Sequence, residues 1–143
     1  MTGAAASSWL LDPRLAQDTV PLADLSLSRV LILKDANYPW LVLVPRRPGL
    51  VEIIDLHEPD QLVLMREMAQ VARALKAVTE CEKLNIAALG NTVRQLHVHV
   101  IGRRADDPAG PRPVWDVAPP RPYDDHELRA FSSALRAELG VAE

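Results

Sequence analysis

Arg94-Gln95-Leu96-His97-Val98-His99-Val100-Ile101-Gly102-Arg103-Arg104 is the stretch from which the rest of the chain can be read. Polar and apolar residues alternate from Gln95 to Val100. Side chains on a β-strand alternate between its faces, so Gln95, His97 and His99 share one face and Leu96, Val98 and Val100 the other. The apolar row suits a core. The polar row sets two imidazoles and a carboxamide in line, each roughly 7 Å from the next. The pattern predicts a strand over Arg94–Arg103 with its histidine face open. Imidazole is the side chain best matched to nucleophilic or acid–base work near neutral pH.

A lone histidine on a strand is ordinarily just a half-exposed strand residue, so the flanks decide the reading. Lys83–Leu89 is a mostly apolar run that predicts a partner strand, and Gly90-Asn91 predicts the turn between the two. Asn91 and Thr92 add short polar side chains and backbone N–H groups beside the imidazoles. Such a collection suits an anionic phosphate.

Further upstream, Arg29–Lys34 reads as a strand, Asp35-Ala36-Asn37-Tyr38-Pro39 as a turn and Trp40–Val44 as the antiparallel return. Trp9-Leu10-Leu11 with Leu15 predicts a short packed element, and residues 1–8 a frayed start. Pro59 suits the first turn of a helix. From there Leu62, Met65, Met68 or Ala69, Ala72 and Leu75 recur at helical spacing to about Glu80, and this stripe reads as core. Six prolines between Asp106 and Tyr123 preclude regular structure throughout and predict an extended arm over about 106–123. Asp124 with Glu127 resembles a capping box that opens a terminal helix over about 124–139. The expected architecture is α+β: an antiparallel sheet of about five strands with one long and one C-terminal helix.

The 143 residues fit a single domain, 1–143. A net charge of −3 argues against a nucleic-acid partner, and no apolar run is long enough to cross a membrane. One cysteine, Cys81, precludes an internal disulfide framework and a multi-thiolate zinc site. With no signal-peptide pattern at the start, a cytoplasmic location is expected.

The histidine strand and its flanks resemble the histidine-triad (HIT) family. The family motif is His-φ-His-φ-His-φ-φ, with φ apolar, preceded by Gly-Gln/Asn-Ser/Thr-Val. Gly90-Asn91-Thr92-Val93 matches that step, His97 and His99 fall on the second and third histidines, and Gln95 replaces the first. The chain looks like a bacterial subgroup with Gln at this position. The likeness extends to Leu31–Asp35 and Pro39–Arg46, and covers roughly residues 20 to 105. It implies a homodimer that joins two sheets edge to edge. It also implies His97 as the nucleophile on the α-phosphate of a nucleotide, forming a nucleotidyl-histidine that water cleaves. His99 would bind phosphoryl oxygen, and Gln95 would orient without carrying charge. Asn91 and Thr92, with Asn85 on the adjacent strand, would contact phosphate, and Asp35 would hold the ribose hydroxyls.

The expected ligand is a purine-nucleotide-type small molecule, with no cofactor and no metal. Two readings compete with a hydrolase or nucleotidyl transferase. One is a nucleotide-binding regulatory protein that has lost turnover with the first histidine. The other, weaker one is a metal module on His97 and His99, which alone make an incomplete site. Trp40, where the family often has histidine, reads as a core residue. Arg103 and Arg104 read as a solvated pair or, less readily, a phosphate clamp. His57 and His126 read as surface residues. Trp115, in the extended arm, needs cover from its own domain or from a partner's site.

Overall fold

The computed structural model describes residues 8–142. The frayed start expected over residues 1–8 therefore lies, but for Ser8, outside the described residues. The chain runs through α1 (Pro13–Asp18), β1 (Thr19–Asp24), β2 (Ser28–Leu33), β3 (Trp40–Pro45), a 3₁₀ turn (Ile53–Asp55), α2 (Glu58–Thr79), β4 (Lys83–Ala87), β5 (Val98–Arg103) and α3 (Asp125–Leu139). The five strands form one sheet in the order β1-β2-β3-β5-β4, each pair antiparallel. This is the α+β architecture expected, with a third, short helix at the start.

Each face of the sheet is covered differently. Val30, Ile32, Leu41, Leu43 and Val100 pack under α2 and α3, against Val71, Leu75, Leu135 and Leu139. Leu31, Trp40, Val42, Val44 and Ile101 face the other way and meet Leu15 near the start and Ala109 and Val114 of the arm. Two core faces explain why β3 is apolar at every position and buried throughout.

Local chemistry sets the boundaries. Asp124 and Glu127 form the capping box: Glu127 N–H donates to Asp124 Oδ1 at 2.7 Å and Asp124 N–H to Glu127 Oε1 at 3.3 Å. Gly140, at φ +69°, supplies the left-handed residue that ends α3. Pro21, which has no N–H, sits on edge strand β1 where the register with β2 shifts.

Three sequence expectations are corrected. The β1 strand arises in Thr19–Asp24, where the sequence pattern names no strand, because pairing with β2 overrides its weak local signal. The histidine strand begins at Val98 rather than Arg94, because Leu96 N–H leaves the ladder and donates to Leu50 O at 3.0 Å. In α2, Leu62 and Met65 are 57% and 63% exposed, while Leu64 and Glu67 are buried. The buried Glu67 is explained by the chain it meets. Its carboxylate accepts from Leu27 N–H (2.9 Å), Ser28 N–H (2.9 Å) and Ser26 Oγ–H (3.0 Å), satisfying the turn between β1 and β2.

Candidate active site

His99 lies on β5 opposite Val42 of β3 and Ala87 of β4, and His97 immediately precedes the strand. Their rings are 5.0 Å apart between centroids. Alternation places both on the face away from α2 and α3, as read from the sequence. The face is not open, however: each histidine is only 7% exposed. The arm lies over it, with Trp115 edge-on to His99 (centroids 5.3 Å) and to Trp40 (5.7 Å). Trp115 is thus covered by its own chain. A period-two pattern specifies a side of the sheet, not what is laid over that side.

Each imidazole is held through Nδ1. His97 Nδ1 lies 2.7 Å from the carbonyl oxygen of Gln95. A carbonyl only accepts, so Nδ1 carries a proton, and in the neutral ring the lone pair is on Nε2. His99 Nδ1 accepts from the indole Nε1–H of Trp40 at 2.9 Å. Burial, and then the neighbouring His97, push the His99 imidazole from its ordinary 6.5 to about 4, so it is neutral at physiological pH.

Gln95 supports the site in an unexpected way. Its backbone carbonyl orients His97, while its carboxamide turns to the start of the chain. There Oε1 accepts from Asp12 N–H and Nε2 donates to Leu10 O, both at 2.8 Å. Arg14 Nη1, on α1, adds a 3.4 Å bond to Thr92 O. The segment ahead of β1 is thereby tied to the loop between β4 and β5. Asn91 and Thr92 sit exposed on that loop, next to Gly90, whose φ of +75° suits glycine.

His97 borders one cavity, and Trp40 and Trp115, which pack against His99, border another. His97, Gln95, Gly90, Leu89, Ile53 and Ile54 line one of about 330 Å³. Asp35, Lys34, Trp40 and Trp115 line another of about 790 Å³. Asp35 is buried, and its Oδ1 accepts from Asn37 N–H (3.0 Å) and Arg121 N–H (3.1 Å), so it holds both its own turn and the end of the arm. Asn85 is not brought to the histidines. Its Oδ1 accepts from Arg103 Nη1 at 2.9 Å, and it lines a separate cavity beside Arg112.

Arg103 is neither a phosphate clamp nor a solvated residue. It is buried and donates to both oxygens of Asp107 (2.8 and 3.0 Å) and to the carbonyls of Gly110 and Arg112 (2.8 Å each), which anchors the arm. Burial opposes ionisation of Asp107, but bonds from Arg103 and from the backbone N–H groups of Arg104 and Gly110 outweigh it and bring the carboxyl down to about 2. Arg104 is exposed and bonds the Thr79 carbonyl. His57 and His126 are exposed, as expected. Trp40 and Trp115 join the site through His99: the sequence read Trp40 as core, despite its place where the family often has histidine, and read Trp115 only as needing cover.

A five-stranded antiparallel sheet with two neighbouring imidazoles at the start of β5 defines the class, and comparison with known proteins supplies the family. The HIT domain matches residues 15–106. A histidine triad protein from Bradyrhizobium japonicum is 59% identical, with 92% of this chain and 98% of that one covered and a TM-score of 0.91. One from Sinorhizobium meliloti is 42% identical over 94% and 99%, with a TM-score of 0.90. A diadenosine triphosphate hydrolase from Plasmodium falciparum shares the fold at 11% identity over 98% and 87%, with a TM-score of 0.56. No curated protein matches. The chain belongs to the HIT-domain family.

Proposed function

We propose that the protein is a nucleotide hydrolase or nucleotidyl transferase that acts at the α-phosphate of a nucleoside phosphate derivative, through a covalent intermediate on His97. The observation that carries this is the bond from His97 Nδ1–H to the Gln95 carbonyl, which leaves Nε2 as a free nucleophile. The Nε2 lone pair forms the bond to phosphorus, and the bond to the leaving group breaks with its electron pair. Water then attacks the same phosphorus, restores His97 and loses a proton to solvent. We place a purine nucleoside in the larger cavity, which Asp35 lines, with Asp35 toward the ribose hydroxyls, the phosphate at His97 and His99, and Asn91 and Thr92 toward the phosphate. We leave Asn85 out of this set, since Arg103 engages it.

One observation favours the second reading, a nucleotide-binding regulatory protein without turnover. The first motif position carries Gln95, whose carboxamide cannot move a proton at neutral pH and is engaged with Leu10 and Asp12. Hydrolysis of an adenosine or guanosine phosphoramidate by the native protein and by His97→Ala separates the two. Thermal shift with the monophosphate serves as the binding control. Catalysis requires a fall of about 10³-fold or more in the variant. Equal rates on a substrate that demonstrably binds would leave the binding protein as the answer.

We further infer that the chain is a single domain, acts in the cytoplasm and forms a homodimer through β4. That strand is a sheet edge, and Ile86 on it, Leu89 beyond it and Leu62 and Met65 on α2 are exposed. Light scattering at micromolar concentration would oppose the dimer if it gave the monomer mass of 15.8 kDa.

A further inference from the structure

We propose that Trp40 is a positioning residue: its indole N–H, seated on Nδ1 of His99, confines the single proton of that imidazole to Nε2 and so makes His99 a hydrogen-bond donor to the phosphoryl group. The argument begins with valence. Indole nitrogen donates and never accepts, so a nitrogen 2.9 Å from it must present a lone pair. Nδ1 of His99 is then unprotonated, and the neutral ring keeps its proton at Nε2. His97 is held the opposite way, with its proton on Nδ1 facing a carbonyl. Two imidazoles one residue apart are thus fixed in opposite tautomers. One offers a bare Nε2 as nucleophile and the other an Nε2–H as donor, and their rings are near enough for one phosphoryl group to meet both.

The surroundings hold Trp40 in place. It is buried on β3 and packed edge-on against Tyr38, His99 and Trp115 at 6.1, 5.6 and 5.7 Å. The indole also resists the cationic ring, since an imidazolium would point a second N–H at the indole N–H. Around His99 stand His97 on its own chain segment, Trp40 and Val42 on β3, Ala87 on β4 and Trp115 of the arm. Of these only His97 carries an ionisable side chain. Burial and that neighbour act in the same direction as the indole, keeping His99 neutral down to about pH 4. His99 on this account is a fixed donor rather than a proton shuttle. A fixed donor needs no reorganisation when charge builds on the phosphoryl oxygens.

The role in catalysis rests on the function proposed above; the tautomer does not, and the experiment reads them separately. The full chain labelled with ¹⁵N-histidine is examined by long-range ¹H–¹⁵N NMR from pH 4 to 8. The native protein should show His97 protonated at Nδ1 and His99 at Nε2, with His99 neutral at pH 6. Trp40→Phe should give His99 a mixture of tautomers and a midpoint moved back toward that of ordinary imidazole. Replacing the indole of Trp40 by benzothiophene, which exchanges N–H for sulfur in the same shape, should do the same if the phenylalanine variant folds poorly. On a hydrolysed phosphoramidate, kcat should fall about tenfold or more while KM stays within about twofold. Native His99 protonated at Nδ1, or a tautomer and midpoint unmoved in both variants, would overturn the proposal. The predicted tautomers in a protein with no turnover would uphold the positioning of His99 and reject the enzyme reading alone.

Discussion

Stability should fall steeply between pH 6.5 and pH 4 because of His99, and the size of the fall follows from its environment. The folded state holds this imidazole near 4, against an ordinary 6.5 for the unfolded chain. Above pH 6.5 both states are neutral at this position and its contribution is complete. As pH falls, the unfolded chain takes up a proton that the folded chain refuses, so unfolding is favoured progressively until the folded imidazole also protonates near pH 4. The full span is worth about 3 kcal/mol. Urea unfolding of the native protein and of His99→Asn at half-unit pH steps measures it. Asparagine places a carbonyl oxygen close to where Nδ1 stood, so the Trp40 N–H keeps an acceptor. The native protein should lose about 3 kcal/mol more than the variant between pH 7 and pH 4. A difference that stays flat across this range would mean that His99 protonates freely in the fold. Both the burial of the site and the donor arrangement of His99 would then be wrong.

Glu67→Ala strips the turn between β1 and β2 of its acceptor and orphans the buried N–H groups of Leu27 and Ser28. The expected loss is about 2–5 kcal/mol in denaturant unfolding, with part recovered by Glu67→Gln. Gln95→Ala removes the two bonds to Leu10 and Asp12 and should cost about 1–2 kcal/mol. Trypsin should then cut faster after Arg14 while the cores stay protected from hydrogen exchange; unchanged cutting would show that the clamp does not hold this segment. Gly102→Ala places a Cβ 2.9 Å from Pro39 Cγ and 3.2 Å from Cys81 Cβ and Sγ. Overpacking of about 1–3 kcal/mol should appear as a lower Tm, and an unchanged Tm would mean that the β5 backbone yields there.

Much of this was legible in the chain itself. The alternation from Gln95 to Val100 put the two histidines on one side of a strand, because side chains on extended backbone alternate whatever surrounds them. Pro59 and the Asp124–Glu127 capping box open helices by interactions within a few residues, and these held. The Gly90–Val93 step and the two histidines carried the family. What eluded the sequence is long-range. The acceptor for the Trp40 indole is 59 positions away, the partners of the Gln95 carboxamide lie 83 and 85 away, and the turn that buries Glu67 is about 40 away. A residue's type states what it can donate or accept, and its spacing states which side it faces. Which group meets it there is decided only when the sheet, α2 and the arm pack together, since a buried polar atom must take its partner from whatever segment the fold brings against it.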